Sequence, residues 1–124
     1  MSIVVQAFER DEETGERRPV RALPAPPHDE LVGIEATRHA LWGSELMRSL
    51  GCSILPRIAT GAVRVEGEGL DLLEAELSIV AREVVRLATD SELRVDYVVR
   101  RVGNLREAIR LAREAGEGGG ILIE

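Results

Sequence analysis

Apolar residues recur at steps of three and four along two stretches in the second half of the chain. The first stripe consists of Leu70, Leu73, Leu77, Val80, Val84 and Leu87. The second stripe consists of Val95, Val98, Val102, Leu105, Ile109 and Ala112. This spacing is typical of amphipathic helices that bury one face. Because only a short segment around Thr89–Ser91 lies between the stripes, the pattern predicts a sharp reversal and therefore a helical hairpin.

The start of the second helix is open to two interpretations. In the first, a capping box of Thr89 and Glu92 begins one long helix, which follows a first helix over about residues 69–88. In the second, residues 93–99 form a strand, because apolar and polar positions alternate there, and Asn104 caps a shorter helix. We favour the long helix because the three-four spacing continues unbroken, but the sequence leaves both open.

Charged residues flank the two stripes in a complementary way. On a helical wheel, Glu74 lies on one side of the first stripe, and Glu76 and Glu83 lie on the other. The second stripe is flanked by Arg94, Arg101, Arg106, Arg110 and Arg113. Acidic residues that face arginines favour one register between two helices, as at the flanking positions of a coiled coil. Each exposed pair contributes only about 0–1 kcal/mol.

Shorter patterns predict strands over residues 3–8, 62–66 and 121–123, which are apolar and β-branched or alternate with charged residues. The segment 9–27 is charged and then proline-rich. We therefore expect a mobile loop or an edge hairpin there, with a return strand over 17–23.

One further helix is expected over about residues 34–50, in two pieces broken at Gly43. Ser44 is the expected N-cap of the second piece, and Gly51 is the expected residue after its end. Together these elements predict a single α+β domain over residues 1–124. Its small antiparallel sheet packs against a helical hairpin and one further helix.

Composition narrows the classes of function. The net charge is −6, the chain has three aromatic residues, and its basic residues other than the two histidines are all arginine. The acidic balance and the scarcity of aromatic residues argue against nucleic-acid binding. Cys52 is the single cysteine, so an intrachain disulfide is excluded and a reducing cytoplasm fits. The chain shows no signal peptide pattern and no apolar run of about 20 residues, so we expect no membrane association.

The segment around Trp42 is the best candidate for a binding site. It brings together Arg38, His39 and Trp42, and tryptophan and arginine are common at binding hot spots. We take these three as candidate binding residues. The competing interpretation is that Trp42 is a core residue and Gly43 joins two helical pieces.

No motif identifies a catalytic, metal or cofactor site. His39 and Cys52 would form a thiol–imidazole pair only if the fold brought them together, and no local motif surrounds the cysteine. The glycines at 118–120 follow a predicted helix, whereas a phosphate loop precedes one.

The leading hypothesis is a non-enzymatic, cytoplasmic protein-interaction module, of the immunity or adaptor type. It would bind a protein partner through an acidic surface and through strand edges at both ends of the chain, with a homodimer as one form of this. One alternative is a small enzyme with a site near His39 and Cys52. A second alternative is nucleic-acid binding through the arginines between Arg94 and Arg113.

The order of elements resembles that of small bacterial proteins, some of which are immunity proteins for toxins. The resemblance rests on an initial strand, a long helix flanked by acidic residues and a final strand after Gly118–Gly120. It has no diagnostic motif, so no residue role is transferred from it.

Overall fold

The computed structural model describes residues 2–124, and its α+β architecture confirms the predicted fold class. The strands are β1 (Ser2–Arg10), β2 (Arg17–Pro19), β3 (Leu31–Ile34), β4 (Val63–Glu66) and β5 (Gly120–Ile123). The α-helices are α1 (Glu45–Ser49), α2 (Glu68–Arg82), α3 (Val84–Ser91) and α4 (Val95–Glu114). A π-helical turn at Arg38–Trp42 precedes α1, and a 3₁₀ helix at Leu55–Thr60 follows it.

The strands form one antiparallel sheet in the order β2-β1-β5-β4, and β3 pairs with the first half of β1. Side chains alternate along β1, where Ile3, Val5 and Ala7 are buried and Val4 is exposed. This alternation is what a strand with one face on the core requires. Helix α4 packs on β1, β3 and β5, and α2 packs on β4.

The two strands nearest the ends of the chain lie inside the sheet. Strand β1 pairs with β2 and β3 along one side and with β5 along the other, while β5 pairs with β1 and β4. The prediction that strands at both ends of the chain offer free edges is therefore wrong. Within the described residues, β4 forms one edge of the sheet, and β2 with β3 forms the other.

The two apolar stripes form the predicted helical layer, with one break that the sequence did not indicate. The first stripe is divided at Glu83 into α2 and α3. The reversal comes after Ser91, where Glu92 adopts a left-handed backbone conformation (φ 57°). The predicted capping box is wrong, since Thr89 lies inside α3 and Arg94 precedes α4 without a side-chain cap. Residues 95–99 are helical, so the strand alternative is also wrong.

The segment 34–50 is less helical than expected, because Ile34 ends β3 and only two short helical pieces follow. The break falls at Gly43, as predicted. A Cβ at Gly43 would lie 2.3 Å from the Cβ of Ala59, so close packing of the π-helical turn on the 3₁₀ helix requires glycine there. Ser44 caps α1 by accepting a hydrogen bond from the Met47 N–H (3.1 Å).

Candidate functional site

A proline-rich strap, residues 25–30, crosses helix α4 and is fastened to it by Asn104. The Asn104 side chain is buried, and its Oδ1 accepts a hydrogen bond from the backbone N–H of Asp29 (3.0 Å). Its Nδ2 donates to the Asp29 carboxylate and to the Leu31 carbonyl, at 2.8 Å each. All three partners lie more than seventy residues away in sequence. Asn104 is therefore a structural anchor inside α4 and not the helix cap of the alternative interpretation.

The residue before Asn104 on α4, Gly103, lets the strap lie close to the helix. A Cβ at Gly103 would lie 2.9 Å from Cε1 of His28, so the glycine lets the imidazole lie directly on the helix. This accounts for a residue that costs a helix interior about 1 kcal/mol relative to alanine. One turn further on, the Glu107 carboxylate accepts a hydrogen bond from the Arg110 guanidinium, which lowers the pKa of its carboxyl.

An open groove of about 1150 Å³ lies between the strap and the junction of α2 with α3. Its floor is one face of α4, which presents Val95, Val99, Val102 and Gly103. Pro27 and His28 of the strap line one side, and Ala81 and Val84 line the other. The lining is predominantly apolar, as is usual for binding sites.

Two valines on the floor of the groove, Val95 and Val99, are exposed to solvent. Val95 is 41% exposed and Val99 is 52% exposed, whereas Val98 and Val102 of the same helix are buried. Val85, which follows the groove wall in α3, is 64% exposed. Contiguous exposed apolar residues beside a groove are typical of a surface that a ligand or partner covers.

Three arginines line the same groove, at Arg94, Arg100 and Arg106. Arg94 forms an exposed ion pair with Asp96 (3.1 Å), and Arg106 donates a long hydrogen bond to the Ser78 hydroxyl (3.3 Å). Within residues 2–124, Arg100 makes no hydrogen bond or ion pair. The rim of the groove is therefore positively charged, although the chain as a whole is acidic.

The three binding residues predicted from the sequence lie in different environments. Trp42 is fully buried, and its indole N–H donates to the Val32 carbonyl (3.3 Å), so Trp42 is a core residue. Arg38 is a structural residue that donates to the Glu35 carboxylate and to the carbonyls of Ile58 and Glu124. His39 is exposed on the π-helical turn.

The enzyme hypothesis placed a site near His39 and Cys52, and the environment of the thiol does not support it. Cys52 is buried, and its burial together with the nearby charge of Glu76 raises the pKa of the thiol to about 11. Since the thiolate is the nucleophile, a thiol with this pKa is unreactive at neutral pH.

Glu76 has a structural role that the charge pattern did not indicate. Its buried carboxylate accepts hydrogen bonds from the backbone N–H groups of Ser53, Ile54 and Leu55, at 3.0–3.1 Å. The prediction that Glu76 faces an arginine of the second helix is therefore wrong. Glu83 pairs with Arg86 of its own helical layer. Glu74, in contrast, pairs with Arg113 as the pattern predicted.

No group of histidine, cysteine or acidic side chains suited to a metal ion occurs in residues 2–124. Among the described helices, none combines the length and the hydropathy needed to cross a membrane. Comparison of the chain with protein-family models, with curated proteins and with solved structures finds no match.

Sequence reasoning missed the groove, although part of it was visible in the second stripe. Val95 and Val99 are spaced one turn apart, and together with Val98 and Val102 they make the apolar face of α4 wider than its contact with the core needs. No local pattern in the sequence indicated the strap side of the groove, because the position of the strap depends on hydrogen bonds between residues far apart in the chain.

Proposed function

We propose that this chain is a non-enzymatic protein-interaction module that binds a protein partner in the α4 groove. The observation that carries the proposal is the exposure of Val95 and Val99 on the floor of an open groove. Grooves beside a helix are a common recognition surface for segments of other proteins. The sequence analysis expected the partner to bind through free strand edges, whereas this proposal places the partner on a surface formed by helices.

We also propose that the module works in the cytoplasm. The buried free thiol of Cys52 supports this location, because a single cysteine that forms no disulfide suits a reducing compartment.

The test is affinity capture from the native host with three immobilised baits. These are the wild-type chain, Val99→Asp and the matched control Leu72→Asp. Leu72 is also an exposed apolar residue, 62% exposed on α2, but it lies outside the groove. Because Val99 is half-exposed, its replacement should leave the fold intact, which circular dichroism and thermal melting check.

We expect one stoichiometric protein to bind the wild type and Leu72→Asp. Its recovery on Val99→Asp should fall by about tenfold or more, since a charge would be buried in the apolar contact. Equal capture on all three baits, or capture only of proteins that also bind the empty resin, would refute the proposal.

A further inference from the structure

The charge around the groove restricts what can occupy it. Among the lining residues, Arg94, Arg100 and Arg106 are basic and Asp96 is the single acidic residue. Asp96 is already paired with Arg94, which leaves Arg100 and Arg106 without a carboxylate partner within residues 2–124. An occupant that brings carboxylates to this rim would supply the missing partners.

The shape of the groove restricts the occupant further. Its floor follows α4 from Val95 to Arg106, which is about 16 Å, or three helical turns, at 1.5 Å per residue. The apolar residues of the floor lie on one face of α4, and Ala81 and Val84 rise beside them. An open groove of this length with an apolar floor fits a rod with one apolar face, and an amphipathic helix has this form.

A second copy of this chain is a poor occupant. In a two-fold dimer the same patch meets itself, so the arginines of one copy would face the arginines of the other. Like charges brought together in this way cost binding energy and suppress the pairing.

From these observations we infer that the groove binds an amphipathic α-helix of the partner protein, with its apolar face on Val95 and Val99 and its acidic residues beside Arg100 and Arg106. This inference rests on the proposed function and specifies the chemistry of the partner.

The test titrates the ¹⁵N-labelled full chain with two synthetic peptides and follows backbone amide signals by NMR. Both peptides have about 15 residues and the same leucine stripe at helical spacing. One peptide carries glutamate beside the stripe, and the other carries lysine. The glutamate peptide should shift the amide signals of residues 81–85 and 95–106. It should bind at least about tenfold more tightly than the lysine peptide at low salt, and the difference should shrink as salt screens the rim.

Arg100→Glu should remove the preference between the two peptides, whereas the control Arg48→Glu, at an exposed arginine of α1 outside the groove, should leave it unchanged. Equal binding of the two peptides, or binding of neither, overturns the inference. A dimer in sedimentation equilibrium that Val99→Asp dissociates also overturns it, because the second copy would then be the occupant. The affinity capture is a separate experiment, and its outcome does not depend on the peptide titrations. Failure of the proposed function is therefore distinguished from failure of this inference.

Discussion

The two ends of the α2–α4 helix pair differ in how their facing side chains meet. At one end, Arg113 of α4 donates hydrogen bonds to Asp71 (2.6 Å) and Glu74 of α2. At the other end, Ala81 and Val84 face Val95 and Val99 across the open groove. We call these the closed end and the open end.

The difference follows from one row of residues on α2. Towards the open end, this row reads Asp71, Glu74, Ser78 and Ala81, and α4 contributes Arg113, Arg106 and Arg100 beside it. Arg113 therefore forms ion pairs with this row, and Arg106 only a hydrogen bond to a hydroxyl. Ala81 offers no polar group to α4. The acidic residues that would close the groove are absent from the sequence, and their absence leaves basic charge available for another molecule.

Removing Asn104, which anchors the strap, should have the largest effect on the difference between the closed end and the open end. Asn104→Ala leaves the Asp29 N–H and the Leu31 carbonyl without their buried partner, which should lower the free energy of unfolding by about 2–3 kcal/mol. Chemical denaturation measures the loss. Hydrogen exchange should show the strap released while amides at the closed end stay protected, and an equal rise in exchange at both ends would contradict this role.

Acid should lower the free energy of unfolding through Glu107 of α4. Its pKa is lowered in the fold by the hydrogen bond from Arg110, so the carboxylate stabilises the protein fully above its unfolded pKa of 4.5. That contribution is lost as the pH falls from this value through the lower, folded pKa. Arg110→Gln removes the main cause of the shift, so its stability should depend less steeply on pH below about 4.5 than that of the wild type. Denaturation curves between pH 3 and pH 6 test this, and parallel pH profiles for the two proteins would contradict it.

Adding one more acidic residue to the row on α2 should close the open end as well. Of the three changes, this one should have the smallest effect on the free energy of unfolding. Ala81→Glu places a carboxylate near Arg106 and Arg100, and it should change the free energy of unfolding by no more than about 0.5 kcal/mol, as an exposed ion pair does. It should nevertheless abolish capture of the partner. Ala75→Glu, on another exposed part of α2, is the matched control and should bind normally. Retained binding by Ala81→Glu would show that the groove is not the docking surface.

The sequence was sufficient for the elements whose spacing is local. The helical spacing of the two stripes and the strands near residues 3–8, 62–66 and 121–123 were predicted correctly because each pattern lies within a few turns or one short strand. The end of α3 was missed because Glu92, and not glycine, occupies the left-handed position there. Its helix end is formed by the backbone bond from the Leu93 N–H to the Ala88 carbonyl (2.9 Å), which leaves no sequence signature without the glycine.

The site was harder to predict than the fold, since the residue types that mark binding surfaces also fill cores. Trp42 is buried because its π-helical turn packs on the 3₁₀ helix and on α3, and these contacts join segments that lie apart in the sequence. The groove exists because Asn104 holds a strap from the first third of the chain against α4. Contacts of this range follow from the completed fold and not from any local pattern.

The interior position of β1 and β5 has a consequence for the order of folding. Val5 pairs with Ile123, so the centre of the sheet joins residues from opposite ends of the described chain, and β5 is the strand to which β4 is bound. During synthesis the helices can form early, but this sheet cannot close until β5 has left the ribosome. Contacts of such high sequence separation slow folding. Until β5 pairs, β4 has no partner strand and one edge of β1 stays unpaired, so these strands can pair with other chains and lead to aggregation.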